Sequence, residues 1–169
     1  MTTSLRRRSF EEGHHRKMLV VLDDSPEAET ALFFSAHRIS HSSGAIVMLY
    51  VIEPEDFQTW LDVRQVHIED ETNKAKALFR LFRRKLGAAG FDNVAIEEVI
   101  REGKKSDELM KLIEEDEDIA ILVLGAAVDS KGPGPLVSSL AAGKTAGTFP
   151  IPIVIVPGNI PVEELGTLA

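Results

Sequence analysis

The chain has 169 residues, close to a single domain in length, with 44% hydrophobic residues, 27% charged residues and a mean hydropathy of −0.01. Those values exclude a disordered chain, which would lack apolar residues, and a membrane protein, which would carry more of them. Acidic residues outnumber basic ones 27 to 19, for a net charge of −8 and a pI near 5.1, the reverse of the basic footprint of a nucleic-acid binder. With no cysteine, disulfides, cysteine-ligated zinc and thiol catalysis all drop out, and a cytoplasmic setting is expected.

Residues 1–17 differ in character from the rest of the chain. Five basic residues against Glu11 and Glu12 make this stretch +3 and leave −11 for the remainder. Arg7-Arg8-Ser9-Phe10 has the look of a twin-arginine export signal, but such a signal needs an apolar stretch of ~7–15 residues close behind it. Here Glu-Glu-Gly-His-His-Arg-Lys intervenes and the run from Met18 to Leu22 is short. Residues 1–17 are therefore read as a flexible basic tail, 18–158 as one domain and 159–169 as a loose C-terminal tail. No run reaches the ~18 apolar residues of a membrane span, and neither membrane nor nucleic acid is expected as a partner.

From Met18 the sequence alternates between two periods. Met18-Leu-Val-Val-Leu-Asp23 is nearly continuous in apolar residues, as in a strand buried on both faces. Ser25-Pro26-Glu27 supplies an N-cap, a first-turn proline and an acid, which predicts a helix over 26–40. Ala45-Ile-Val-Met-Leu-Tyr-Val-Ile52 is a second buried strand. A long helix is expected over about 59–86, with Ala75, Leu78, Phe82 and Leu86 on one face. Residues 94–100 mix branched apolar residues with Glu97 and Glu98, as in an edge strand. A third helix is expected over 106–115. The acidic run 114–118 is a solvated helix end, or else a metal site. A buried strand over 119–124 ends at Gly125, and a Gly/Pro loop leads to a helix over 136–146. Ile151-Pro-Ile-Val-Ile-Val156 is the last strand. Strands alternating with helices give an α/β fold, an open five-stranded parallel sheet covered on both faces.

Such a sheet binds ligands at the carboxyl ends of its strands, where the strand order reverses. Asp23, the end of the second strand at Val51, and Leu124-Gly125 are the candidate positions. An aspartate there can accept hydrogen bonds from a ribose or base; it can equally be a plain turn residue. Lys131-Gly-Pro-Gly-Pro135 followed by Leu136-Val-Ser-Ser139 combines a cation, Gly132 and Gly134, and the hydroxyls of Ser138 and Ser139. It can cradle a phosphate through backbone N–H groups, or it is a proline-stiffened surface loop. Gly143-Lys144-Thr145 resembles the end of a P-loop, but its surroundings read as helix, whereas a P-loop leaves a strand. The five histidines show no metal spacing, and no nucleophile sits in a G-x-S-x-G elbow.

Taken in order, Lys17-Met-Leu-Val-Val-Leu-Asp-Asp-Ser-Pro-Glu27, Leu49-Tyr-Val-Ile-Glu-Pro54, Glu102-Gly103, Leu122-Val-Leu-Gly125 and Pro152-Ile-Val-Ile-Val156 resemble the universal stress protein (UspA-like) family over roughly 17–157. The resemblance implies the five-stranded parallel sheet and a homodimer built through the final strand, Ile151 to Val156. Some members bind ATP through glycine, two residues, glycine, nine residues, then glycine and a hydroxyl residue. Aligned without gaps, these positions fall on Gly125, Val128, Ser138 and Ser139, so two of the three glycines are replaced. Gly132 and Gly134 could take their part in a differently shaped loop. Asp23 and Val51 match the ribose and adenine positions.

The resulting expectation is a dimeric stress-response protein that binds an adenine nucleotide, ATP (with magnesium) or AMP, with little or no turnover. The alternative is a nucleotide-free dimeric interaction module of the same fold, its protein partner unspecified. ATP hydrolysis is a third reading, without a water-activating base to name.

Overall fold

A computed structural model describes residues 7–54 and 61–169. Five strands, β1 (Lys17–Val21), β2 (Ala45–Ile52), β3 (Ala95–Glu102), β4 (Ile119–Ala126) and β5 (Ile153–Pro157), form one sheet. All pairings are parallel and the spatial order is β3-β2-β1-β4-β5. Every residue of β2 is buried, as its unbroken apolar run requires of a strand covered on both faces. The edge strand β3 leaves Glu97 and Glu98 exposed. Its register pairs them with Val47 and Met48.

Three helices, α1 (Pro26–Ser40), α2 (Leu61–Ala88) and α3 (Lys105–Glu115), cover the sheet. The period of two along the strands divides the core. Met18, Val20, Ile46 and Met48 pack with α1 and α2, through Leu32, Phe79 and Leu86 among others. Leu19, Val47 and Leu49 face the other way, towards Leu109 and Ile113 of α3. Each fully buried Leu or Phe contributes roughly 1.5–3 kcal/mol relative to exposure. The buried stripe of α2 runs through Ala75, Phe79, Phe82 and Leu86; Leu78, expected on it, is only partly buried. The expected start of this helix at Thr59 lies outside the described residues.

Three stretches depart from the sequence reading. Residues 136–146 do not form an α-helix. They make one π-helical turn, Val137–Ala141, followed by a short 3-10 turn, Ala146–Thr148. Only Val137 and Leu140 of this stretch are buried. So small an apolar stripe does not offset Gly143, which costs about 1 kcal/mol inside a helix.

At the N-terminal side, residues 7–16 lie against the turn between α3 and β4. The Arg7 guanidinium donates to the carbonyls of Ile113 (2.8 Å), Asp116 (3.1 Å) and Ile119 (3.0 Å). Helix ends leave such carbonyls without intrahelical donors, and the last turn of α3 holds no basic residue of its own. His14 contacts Asp118 at 2.6 Å. Lys17 reaches Asp116 and Glu97, both at 2.8 Å. Burial works to lower the Lys17 ammonium, and its two carboxylate bonds outweigh that and hold it above the ordinary lysine value. The acidic run thus finds cations from the start of the chain. Among the described residues no three His, Asp or Glu side chains gather to hold a metal ion.

The C-terminal stretch forms a 3-10 turn, Val162–Thr167, whose Leu165 is fully buried in the α1 and α2 core. Gly166 lies against His37, where an added Cβ would stand 2.9 Å from the ring. The His37 ring meets Phe91 edge-on, with centroids 4.7 Å apart. Burial, with the neighbouring charge of His41, pushes the His37 imidazole below its ordinary value. No helix among the described residues is long and apolar enough to cross a membrane.

Candidate functional site

The chain moves outward in opposite directions from β1 and β4, so their carboxyl ends flank the crevice expected of an open parallel sheet. The turn after β1 is set by Pro26, which restricts Ser25 to extended backbone (φ −76°, ψ 150°). Ser25 does not cap α1 with its hydroxyl. Its N–H donates to Asp23 Oδ1 at 2.9 Å, and its hydroxyl donates to the same oxygen. One carboxylate oxygen thus fastens the turn. Oδ2 has no protein partner among the described residues and is available to a ligand.

Asp23 stands in a wall shared by two hollows. One, of about 410 Å³, opens beside the end of β2 and is lined by Asp23, Tyr50, Val51, Glu71 and Lys105 among others. Its size is that of a small-ligand site. The second, a narrow cleft of about 70 Å³ at the β1–β4 switch point, is lined by Asp23, Leu124, Gly125, Gly134 and Lys105 among others. A third hollow, of about 430 Å³, lies along the Gly/Pro loop between Glu27, Asp129, Lys131, Gly132, Gly134 and Ser138.

Most of the expected residues meet here. Asp23 joins the first two hollows, Val51 lies in the first, Leu124 and Gly125 in the second, Gly134 in the second and third, and Gly132 and Ser138 in the third. Ser139 does not join them. It lines a separate apolar hollow with Met110 and Phe149, because the π turn directs it towards α3. Val128 is 74% exposed and faces solvent.

The glycines differ in role. Gly132 (φ 110°) and Gly134 (φ 106°) hold backbone angles that favour glycine, and open space lies where their Cβ atoms would be. They could admit a ligand group close to the backbone. Gly125 is different: a Cβ there would stand 2.6 Å from the carbonyl carbon of Glu27, so the space is filled by the first turn of α1.

The loop is held by its own bonds. Ala127 N–H donates to Pro133 O (3.0 Å), Gly132 N–H to Asp129 O (3.1 Å), Ser138 N–H to Gly134 O (3.1 Å) and Lys131 N–H to Asp129 Oδ1 (3.0 Å).

Tyr50 and Lys105 were not legible as site residues. The Tyr50 hydroxyl donates to Glu71 at 2.6 Å. Burial pushes the phenol upward, reinforced by that bond and by the charges of Glu71, Asp24 and Asp23, so it remains a protonated donor. Lys105 opens α3 after the edge strand, an end of the sheet that sequence reasoning passed over. The crossover from β3 carries it back over the ends of β1 and β2. Its one sequence signal is its place at the first position of a helix that follows a parallel strand. Around these hollows stand a carboxylate with one oxygen unpartnered among the described residues, a buried aliphatic wall at Val51, and the half-buried Lys105.

The fold is shared with solved structures at low identity. The UspA protein of Lactobacillus plantarum is 16% identical, with a TM-score of 0.65 over 83% of this chain and 97% of that one. A universal stress protein in complex with cAMP is 20% identical, with a TM-score of 0.58 over 83% and 96%. One from Archaeoglobus fulgidus in complex with dAMP is 17% identical, with a TM-score of 0.50 over 84% and 98%. Among curated proteins none matches the sequence. Residues 14–157 match the Universal stress protein family, and with that span covering the sheet, its helices and the cleft, the chain belongs to this family.

Proposed function

We propose that this is a cytoplasmic stress-response protein that binds an adenine nucleotide across the β1–β4 crevice, with little or no turnover. The observation that carries the reading is Asp23, placed between two hollows with Oδ1 tied to Ser25 and Oδ2 without a protein partner among the described residues. Oδ2 is suited to accept from ribose hydroxyls, while the wall at Val51 covers the base. The structures in complex with cAMP and dAMP support an adenine nucleotide in this fold.

Asp23→Asn tests the assignment. The asparagine carbonyl can still accept from Ser25, while the free carboxylate oxygen gives way to a donor. Losing a hydrogen bond to a charged group costs about 1.5–3 kcal/mol, so AMP affinity by calorimetry should fall about 10- to 100-fold. Unchanged affinity would sink the assignment. No binding of adenosine, AMP or ATP by the parent protein would favour the interaction module.

We also propose pairing of two copies along β5. It is an edge strand on which Ile155 is 43% exposed, and an uncovered apolar edge invites a partner. Light scattering on Ile155→Lys should give the mass of a monomer where the parent gives a dimer. An unchanged dimer would refute this interface.

A further inference from the structure

The two ends of the crevice are charged in a way that bears on the number of phosphates. The third hollow, along the Gly/Pro loop, sets the carboxylates of Glu27 and Asp129 against the single cation Lys131. Four amides of this segment are committed to its internal bonds, and amides in that state do not cradle phosphate. Between this hollow and the wide one lies a cleft of about 70 Å³ whose lining holds Glu27 as well as Lys105. One cation, Lys105, lines both the wide hollow and that cleft. It is half-buried and has no hydrogen bond or ion pair to any described residue.

We propose that the site selects an adenine nucleotide carrying a single phosphate, that Lys105 is the specificity-determining residue that holds this phosphate, and that Glu27 and Asp129 reject longer phosphate chains. The inference rests on the adenine-nucleotide reading above. An ammonium between the two hollows, without a partner among the described residues, gains one when one phosphate enters. A second and third phosphate would have to pass the narrow cleft and lie against two carboxylates, where like charges repel. The ammonium is a point charge with three donors, suited to a phosphate presented from several directions.

Calorimetry on the full chain with adenosine, AMP, ATP and ATP with magnesium tests this, on the parent, Lys105→Ala and the double variant Glu27→Gln, Asp129→Asn. The parent should bind AMP about tenfold or more tightly than ATP, with or without magnesium. Lys105→Ala should weaken AMP about tenfold and leave adenosine within about twofold, and the double variant should narrow the gap between AMP and ATP. A parent that holds ATP as tightly as AMP overturns the selectivity. Equal weakening of AMP and adenosine by Lys105→Ala overturns the role of that residue. If none of adenosine, AMP and ATP binds, the adenine reading falls and the selectivity with it. Adenosine bound without preference among the phosphates removes the selectivity alone.

Discussion

Gly125→Ala is expected to destabilise the protein by about 3 kcal/mol, at the upper end of what overpacking costs. For a chain of this size that lowers the melting temperature by roughly 6–12 °C. The added methyl would stand 2.6 Å from the carbonyl carbon of Glu27 and 2.8 Å from its Cβ. The first of these is backbone and cannot rotate away. Relief requires the first turn of α1 to lift from the sheet, and that turn is held by Pro26 and by the Asp23–Ser25 bonds. Interiors packed at crystal density transmit such a shift. The displacement would therefore also move Asp23, and AMP affinity should fall with stability. Urea denaturation checks the first part, where a lower midpoint with an unchanged slope reports stability alone. A melting temperature within about 1 °C of the parent would show that α1 does not approach β4 so closely.

Leu165→Ala should cost a similar amount, about 2–5 kcal/mol, the range for deleting a buried leucine side chain. Leu165 is fully buried in a core shared with Phe33 and Phe91, and Ile160 and Val162 pack beside it. The turn that carries it packs against α1, so the cavity cannot close without moving a helix that also covers the sheet. Thermal denaturation of the variant decides the matter. A loss below about 0.5 kcal/mol, as at a surface position, would return residues 159–169 to the status of a loose tail.

The arrangement of the sheet was legible because its signals are local. The unbroken apolar runs of β1, β2 and β4 need only a buried strand to explain them, and β2 spans the residues its composition marks. Pro26 with Glu27 and Glu29 in the first turn starts α1 at the expected residue. The positions of Asp23 and Gly125 at strand ends were legible as well, since each closes an apolar run. Residues 136–146 were not, because hydroxyl and small residues there satisfy a helical pattern while offering little surface to bury.

Composition and periodicity were enough to settle the order of elements, since each element depends on neighbours within a few residues, and strands alternating with helices imply a parallel sheet. Contacts between distant segments decided the rest. Arg7 caps α3 from more than 100 residues away, Leu165 completes the core under α1, and Lys105 reaches the crevice through a crossover from the edge strand. Gly125 is needed for a close approach of α1, a packing demand that no local pattern announces. A side chain's partners across the fold depend on strand order and on the path of each crossover, and those are settled only when the whole apolar surface is buried together.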